Sequence, residues 1–423
     1  MADTIVIGAG LAGLTSAIRL AQAGQSVTLL TKGLGGLPLS QGTVDVLGYA
    51  PDRVDRPFEA VARLVEADPA HPYAVIGAGR ARQAVDWLRA LVPDLLAGDP
   101  AINVTLPTAV GARRPTALYQ PSMAAGHLPP GQRVAVVGPV QLKDFSPELC
   151  AANLARNDVV GDPVVARPYR IDLPARPGEA DGSAVAYARS LDTPSFRQRF
   201  ALAVRDVLGD EAVVGLPAML GLADKEAWLD LRKQIGRPVF EISLIPPSVP
   251  GLRLNEALTA AARAAGVRIV LGSVVVGFVA SGGRLQAVVL HQAGHDQAWP
   301  AAQFVYAPGG WESGAIQLDS HGRITERLFG LPLRGVTGED ANADLLTGDF
   351  WRDQALFKVG VGVDAEMRVV DAAGQPVFAN LRAAGSILAG ALRWSEKSGE
   401  GIALGSAWAA AEAIAKTGTT GKD

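Results

Sequence analysis

Thr4-Ile5-Val6-Ile7-Gly8-Ala9-Gly10-Leu11-Ala12-Gly13-Leu14 sets a short apolar run directly before a Gly-x-Gly-x-x-Gly motif. An amphipathic stretch rich in Ala and Leu follows as far as Gly24, and a β-rich run, Ser26-Val27-Thr28-Leu29-Leu30, comes next. Strand, glycine turn, helix and strand make a βαβ unit. In that setting Gly8 serves the tight turn, Gly10 lets backbone approach a phosphate, and Gly13 lets the helix pack close to the strand. The open N–H groups at the helix start then receive the anion.

The second strand ends without the acid that usually holds the ribose of an adenosine. Thr31 stands there, followed by Lys32. Neither side chain accepts a pair of ribose hydroxyls, so either the adenosine is held by other means or there is none. FMN carries a phosphate and no adenosine; it needs the glycines and not the acid. FMN is the expected cofactor, with FAD second to it.

The remaining elements extend this plan. Gly33-Leu34-Gly35-Gly36-Leu37-Pro38-Leu39-Ser40-Gln41-Gly42-Thr43 reads as a loop able to approach a flat ring, with Ser40, Gly42 and Thr43 as candidate contacts. From about residue 81 to 250 the chain has α/β fragments of its own, including a strand over 133–138 and a helix over 224–235. Pro246-Pro247-Ser248-Val249-Pro250 closes that part. A helix over 252–265 and strand-like runs at 267–270, 273–279 and 284–291 follow. Two more strands end on Gly309-Gly310 and on Gly385-Ser386, and a helix opens near Gly401. Gly309 and Gly310 are expected against the cofactor, Gly385 and Ser386 at a flavin's ribityl chain. The helix N-terminus at Gly401 is expected to face the flavin's pyrimidine edge, where its dipole favours the reduced anion. The fold expectation is α/β: a two-domain flavoprotein with a Rossmann-like FAD/NAD(P)-binding sheet. Residues 1–80 and 251–423 form the flavin-binding domain, and 81–250 an inserted α/β cap or interface domain.

Composition narrows the function. The 423 residues are 48% hydrophobic with 48 glycines, which suits a strand–helix protein. A net charge of −3 gives no support to nucleic-acid binding. The single cysteine, Cys150, rules out a disulfide framework and an iron–sulfur cluster ligated by this chain alone; it reads as a buried thiol. No run reaches the ~18–20 apolar residues of a membrane span. The first strand begins by Thr4, which leaves no room for a secretory segment. A cytoplasmic chain is expected, reaching the inner face of the cell membrane only through partners.

With these elements placed, the chain resembles the B subunit of anaerobic glycerol-3-phosphate dehydrogenase over nearly its whole length. The specific stretches are Ser40-Gln41-Gly42-Thr43-Val44-Asp45-Val46-Leu47, His71-Pro72-Tyr73, Gly221-Leu222-Ala223-Asp224, Pro246 to Leu254, and Gly385-Ser386. The resemblance implies FMN as cofactor and a three-part, quinone-linked enzyme. An FAD-containing catalytic subunit oxidises glycerol 3-phosphate to dihydroxyacetone phosphate, this subunit accompanies it, and an iron–sulfur subunit anchors the complex to the membrane. One departure is visible: between Gly390 and Gly405 the family's glycine-rich run is replaced by Ala391-Leu392-Arg393-Trp394-Ser395-Glu396-Lys397-Ser398-Gly399-Glu400-Gly401.

No catalytic constellation is legible. The five histidines lack metal-ligand spacing, and only His71 falls in a family-like motif. Arg114 and Arg253 are candidate phosphate ligands, weighed against surface or interface roles. Three functions stay open: a flavoenzyme subunit, an electron-transfer or scaffold flavoprotein without substrate chemistry, and a free-standing FAD oxidoreductase of the fumarate-reductase type, which Thr31 disfavours.

Overall fold

A computed structural model describes residues 2–156, 163–292, 294–335, 345–349 and 352–419. The chain divides into two compact units. One comprises Met1–Gly36, Asp45–Leu91 and Ala257–Asp423; the other comprises Leu37–Val44 and Val92–Glu256. The expected boundaries at 80/81 and 250/251 fall elsewhere. The helix Ala78–Leu91 stays with the first unit, because Gly405 of the C-terminal helix packs on Ala81 and Ile76 so closely that a Cβ would meet Ala81 Cα at 3.3 Å. The short segment Leu37–Val44 goes with the second unit.

The first unit is built on a seven-stranded sheet. Strand β1 (Ala2–Ile7), whose Ile5 and Val6 are wholly buried, leads into helix α1 (Leu11–Gln22) and returns as β2 (Val27–Thr31). β1 and β2 pair in parallel, Thr4 opposite Val27 and Ile7 opposite Leu30. Arg268–Leu271 extends the sheet beyond β2, again in parallel. On the other side of β1 lies His295–Tyr306, a 12-residue strand of which the sequence pattern predicts only the last part. Its first half pairs antiparallel with Arg284–Gln292, from Gln292 opposite His295 to Ala287 opposite Pro300. Its second half pairs in parallel with β1, from Ala301 opposite Ala2 to Tyr306 opposite Ile7. The partner changes at Pro300, a residue with no N–H to give to a ladder. Leu381–Ala383 completes the parallel set, Tyr306 opposite Ala383. Five parallel strands therefore end together, and ligands of open α/β sheets bind beyond such carboxyl ends.

The second unit has its own four-stranded parallel sheet, in the order Val165–Ile171, Arg133–Pro139, Val213–Pro217, Val239–Ile242. Its core gathers Val134 to Val137, Tyr187, Phe200 and Phe240. The family-like Gly221-Leu222-Ala223-Asp224 is a structural turn. The Asp192 carboxylate accepts the N–H groups of Leu222 (2.8 Å), Ala223 (3.1 Å) and Asp224 (3.0 Å), and Arg197 donates to Asp224 at 2.7 Å. Cys150 is buried as expected, and burial pushes its thiol up to about 12. No helix among the described residues is long and apolar enough to cross a membrane.

Candidate functional site

The glycine motif shows three distinct uses of a missing side chain. Gly8 sits at φ +106°, a conformation that favours glycine, and a Cβ there would collide with Ala307 O. A Cβ on Gly13 would collide with Gly8 O, so α1 rests directly on the strand turn. Gly10 differs: a Cβ there would find only Gly36 N, at 3.9 Å. The space over Gly10 is open while the flanking glycines are packed. Gly10 is also the N-cap of α1, and no side chain caps that helix. Its first-turn N–H groups have no intrahelical partner, and the positive end of the dipole faces the same opening.

The other glycine-ended strands converge on this edge. Gly385 lies beside the first turn of α1, where a Cβ would come to 2.9 Å from Ala12 Cβ, and its N–H donates to Ser406 Oγ at 2.9 Å. A Cβ on Gly310 would be 2.8 Å from Ser386 O, and one on Gly309 would be 2.6 Å from Ser313 Oγ. Gly8, Gly10, Gly13, Gly309, Gly310, Gly385 and Ser386 thus come together at the carboxyl ends of the parallel strands. Next to Gly310, the indole Nε1 of Trp311 is buried with no hydrogen-bond partner among the described residues. An open cradle, an uncapped helix start and an orphaned buried donor suit a ligand rich in acceptor oxygens, as a flavin phosphate and pyrimidine edge are.

Other expected contacts are committed within the protein. Thr31 Oγ1 donates to Gly33 O at 2.6 Å and accepts from Gly33 N at 3.3 Å, so it shapes the turn after β2. Lys32 beside it is exposed. Within the second unit, Ser40 Oγ donates to Leu37 O at 2.9 Å and accepts from Gly42 N at 3.3 Å. A Cβ on Gly42 would lie 2.5 Å from Pro250 Cβ, and Thr43 Oγ1 accepts from Arg114 Nη2 at 2.7 Å. The loop over 40–43 is therefore held by the Pro250 segment and by Arg114. Arg114 and Arg253 are both buried, and Arg253 is paired with Glu241. Neither is a surface arginine.

Gly401 differs most from its expected role. Its N–H donates to Asp45 O at 3.0 Å, and a Cβ there would meet Val46 Cα at 2.9 Å and collide with Tyr73 Oη. The glycine serves close packing against the Asp45–Val46 backbone, and its N–H is not available to a flavin. Tyr73 in turn donates to Val46 O at 2.5 Å, and burial holds its phenol well above the ordinary value.

The divergent 391–401 loop is ordered by one partly buried carboxylate. Glu396 accepts from Leu392 N (2.8 Å), Ser398 Oγ (2.8 Å) and His71 Nε2 (3.2 Å), while its own carbonyl accepts from Gly48 N (2.8 Å) and Tyr49 N (3.0 Å). His71 Nδ1 accepts from Tyr73 N at 3.2 Å, which assigns the proton to Nε2. Burial works to raise the Glu396 carboxyl, and the bonds from His71, Leu392 and Ser398 outweigh it and hold it below the usual carboxylate range. His71 is thus a clamp on this loop. Arg393, in the same loop, donates to Ser386 O at 2.8 Å and reaches Glu312 Oε1 at 3.4 Å. Trp311, Glu312, Arg393 and Glu396 carry no motif that marks them in the sequence. Their only signal is position, beside Gly309-Gly310 or inside the loop that departs from the family pattern.

The fold and this cradle define a flavin-binding α/β domain, and residues 3–402 match the FAD binding domain family. Over 428 residues the chain is 34% identical to the B subunit of the probable anaerobic glycerol-3-phosphate dehydrogenase of Halobacterium salinarum, with 98% of each covered. It is 31% identical over 429 residues to the B subunit of the anaerobic glycerol-3-phosphate dehydrogenase of Yersinia pestis, with 97% of each covered. The chain belongs to the family of anaerobic glycerol-3-phosphate dehydrogenase B subunits, an oxidoreductase family with a flavin-binding domain. A solved 3-ketosteroid Δ1-dehydrogenase from Sterolibacterium denitrificans overlaps 98% of this chain and 99% of its own, with 11% identity and a TM-score of 0.46.

Proposed function

We propose that this chain is the flavin-carrying relay subunit of a quinone-linked glycerol-3-phosphate dehydrogenase. It takes electrons from an FAD-containing catalytic subunit and passes them to an iron–sulfur subunit that anchors the complex at the membrane. The observation that carries this reading is the open space over Gly10 at an uncapped helix start, where three glycine-ended strands converge. A flavin supplies hydride and single-electron chemistry when bound. The chain's residues supply the phosphate cradle (Gly8 to Gly13) and the walls at Gly309-Gly310 and Gly385-Ser386. In this reading the first unit is the flavin-binding domain, and the second serves as cap or partner interface. The relay role is favoured over an independent substrate site because Arg114 and Arg253, the candidate phosphate ligands, are committed internally. No group of His, Cys, Asp and Glu among the described residues is placed to hold a metal.

The flavin is FMN in this proposal. The name of the matched family favours FAD. Against it, the end of β2 offers only a Thr31 hydroxyl already bonded to Gly33 and the cation of Lys32. Flavin released by heat and separated by chromatography is expected to be FMN; recovery of FAD as the main species would overturn this. For function, the flavin absorbance is followed anaerobically after adding glycerol 3-phosphate. Bleaching is expected with the FAD-containing partner present and not in the isolated chain. Rapid bleaching of the isolated chain would replace the relay by a complete enzyme.

A further inference from the structure

We propose that Arg393 is the positive group that faces the flavin and sets how readily it accepts electrons. The proposal rests on the flavin reading of the same sheet edge. Reduced flavin is an anion, with its charge spread over the pyrimidine edge, and a fixed cation there stabilises the reduced form. The helix start at Gly401 does not offer its N–H for that role, because Asp45 O accepts it. Arg393 stands where a cation is needed. Its Nη1 donates to Ser386 O, and a Cβ on Gly310 would lie 3.3 Å from its Nη2. Both glycine-ended strands that wall the proposed cradle therefore touch this guanidinium.

Among the described residues few acceptors meet it. A guanidinium has five N–H donors. Among the described residues Arg393 has one good bond, to a carbonyl, and one long contact, to a carboxylate whose side chain is 37% exposed, while its own side chain is only 11% exposed. Burial lowers the pKa of the group, a direction consistent with a charge held away from water. The neighbouring Trp311 Nε1 is a second buried donor without a partner among the described residues. An anionic ring edge with carbonyl oxygens would give both Arg393 and the Trp311 indole an acceptor beside Gly310. Glu312 and Glu396 are then the opposing charges that moderate the effect, and Glu312 is the more exposed of the two.

The test is the midpoint potential of the flavin bound to the full chain, measured for wild type, R393M, R393K and E312Q. For R393M the ratio of reduced to oxidised flavin at a fixed potential is expected to fall about tenfold, equivalent to about 30 mV for a two-electron couple. R393K should stay close to wild type, and E312Q should shift the other way. A purely structural role for Arg393 would change flavin affinity or thermal unfolding without moving the potential. If R393M does not hold flavin, E312Q still reads the same charge, and an unchanged potential there would sink the proposal. Flavin bound with one potential in every variant would overturn this inference and leave the flavin reading standing. An unchanged potential with weakened glycerol 3-phosphate response in R393M would reassign the cation to substrate. Wild-type chain that binds no flavin would overturn both readings.

Discussion

Gly13→Ala is expected to destabilise the first unit, whereas Gly10→Val keeps the fold and weakens flavin binding. The two positions lie three residues apart in one motif, yet their surroundings are opposite. A methyl on Gly13 collides with the carbonyl oxygen of Gly8, a backbone atom already fixed by the turn after β1. Relief requires α1 to lift from a sheet on which Leu14, Ala17 and Ile18 are buried to 1% exposure or less. Overpacking of this kind costs about 1–3 kcal/mol, visible as a lower denaturation midpoint by circular dichroism. At Gly10 a side chain projects into open space, so the apo protein should unfold close to wild type. The flavin phosphate then meets an isopropyl group where it should meet backbone N–H groups. Losing one charge-assisted bond costs about 1.5–3 kcal/mol, so flavin affinity should drop ten- to a hundredfold. If Gly10→Val retained its flavin, the phosphate would not lie at α1. If Gly13→Ala were as stable as wild type, the close helix–strand approach would be wrong.

The same contrast explains what the sequence can and cannot reveal. The βαβ unit is legible because its information is local: glycine spacing, apolar runs and a helix period all fall within a single short segment. Gly309-Gly310 and Gly385-Ser386 are legible as strand ends for the same reason. The strand His295–Tyr306 reads short in sequence because its first half is exposed and polar, and only pairing with Arg284–Gln292 makes it a strand. The 37–44 segment reads as part of a cofactor loop. Its attachment depends on Gly42 meeting Pro250, a contact distant in sequence that no local pattern encodes. Charged residues are the hardest to place. Arg393 and Glu396 stand in sequence only as part of the divergent loop, and only the fold shows them partly buried and bonded to Ser386 and His71.

Arg253→Met should be the most destabilising single change in the second unit. Arg253 and Glu241 are both buried, and the guanidinium meets the carboxylate at two points, 2.7 and 3.0 Å. Arg253 also donates to Gly221 O at 2.8 Å and to Gln120 Oε1 at 3.1 Å, a residue 133 positions away. Glu241 further accepts from Ser122 Oγ at 2.6 Å and from Leu220 N at 2.7 Å. Burial works to raise the Glu241 carboxyl, and Arg253, Ser122 and Leu220 together bring it below its ordinary value. A carboxyl depressed in the folded state stabilises the protein above its unfolded pKa, and that contribution is lost as pH falls through the lower, folded value. Removing Arg253 reverses the sign. The buried carboxylate then lacks its counter-charge, its folded pKa rises, and the variant is penalised most at neutral pH. Breaking a buried pair from one side costs about 3–5 kcal/mol. Urea denaturation of Arg253→Met at pH 7 should show a deficit of that order. The deficit should shrink toward pH 5 as Glu241 takes up a proton. The double variant Arg253→Met with Glu241→Gln should recover part of the loss at pH 7, because a neutral amide keeps bonds to Ser122 and Leu220 without an unpaired charge. A deficit independent of pH, with no recovery in the double variant, would mean that Arg253 acts through its bonds to Gly221 and Gln120 and not through the ion pair.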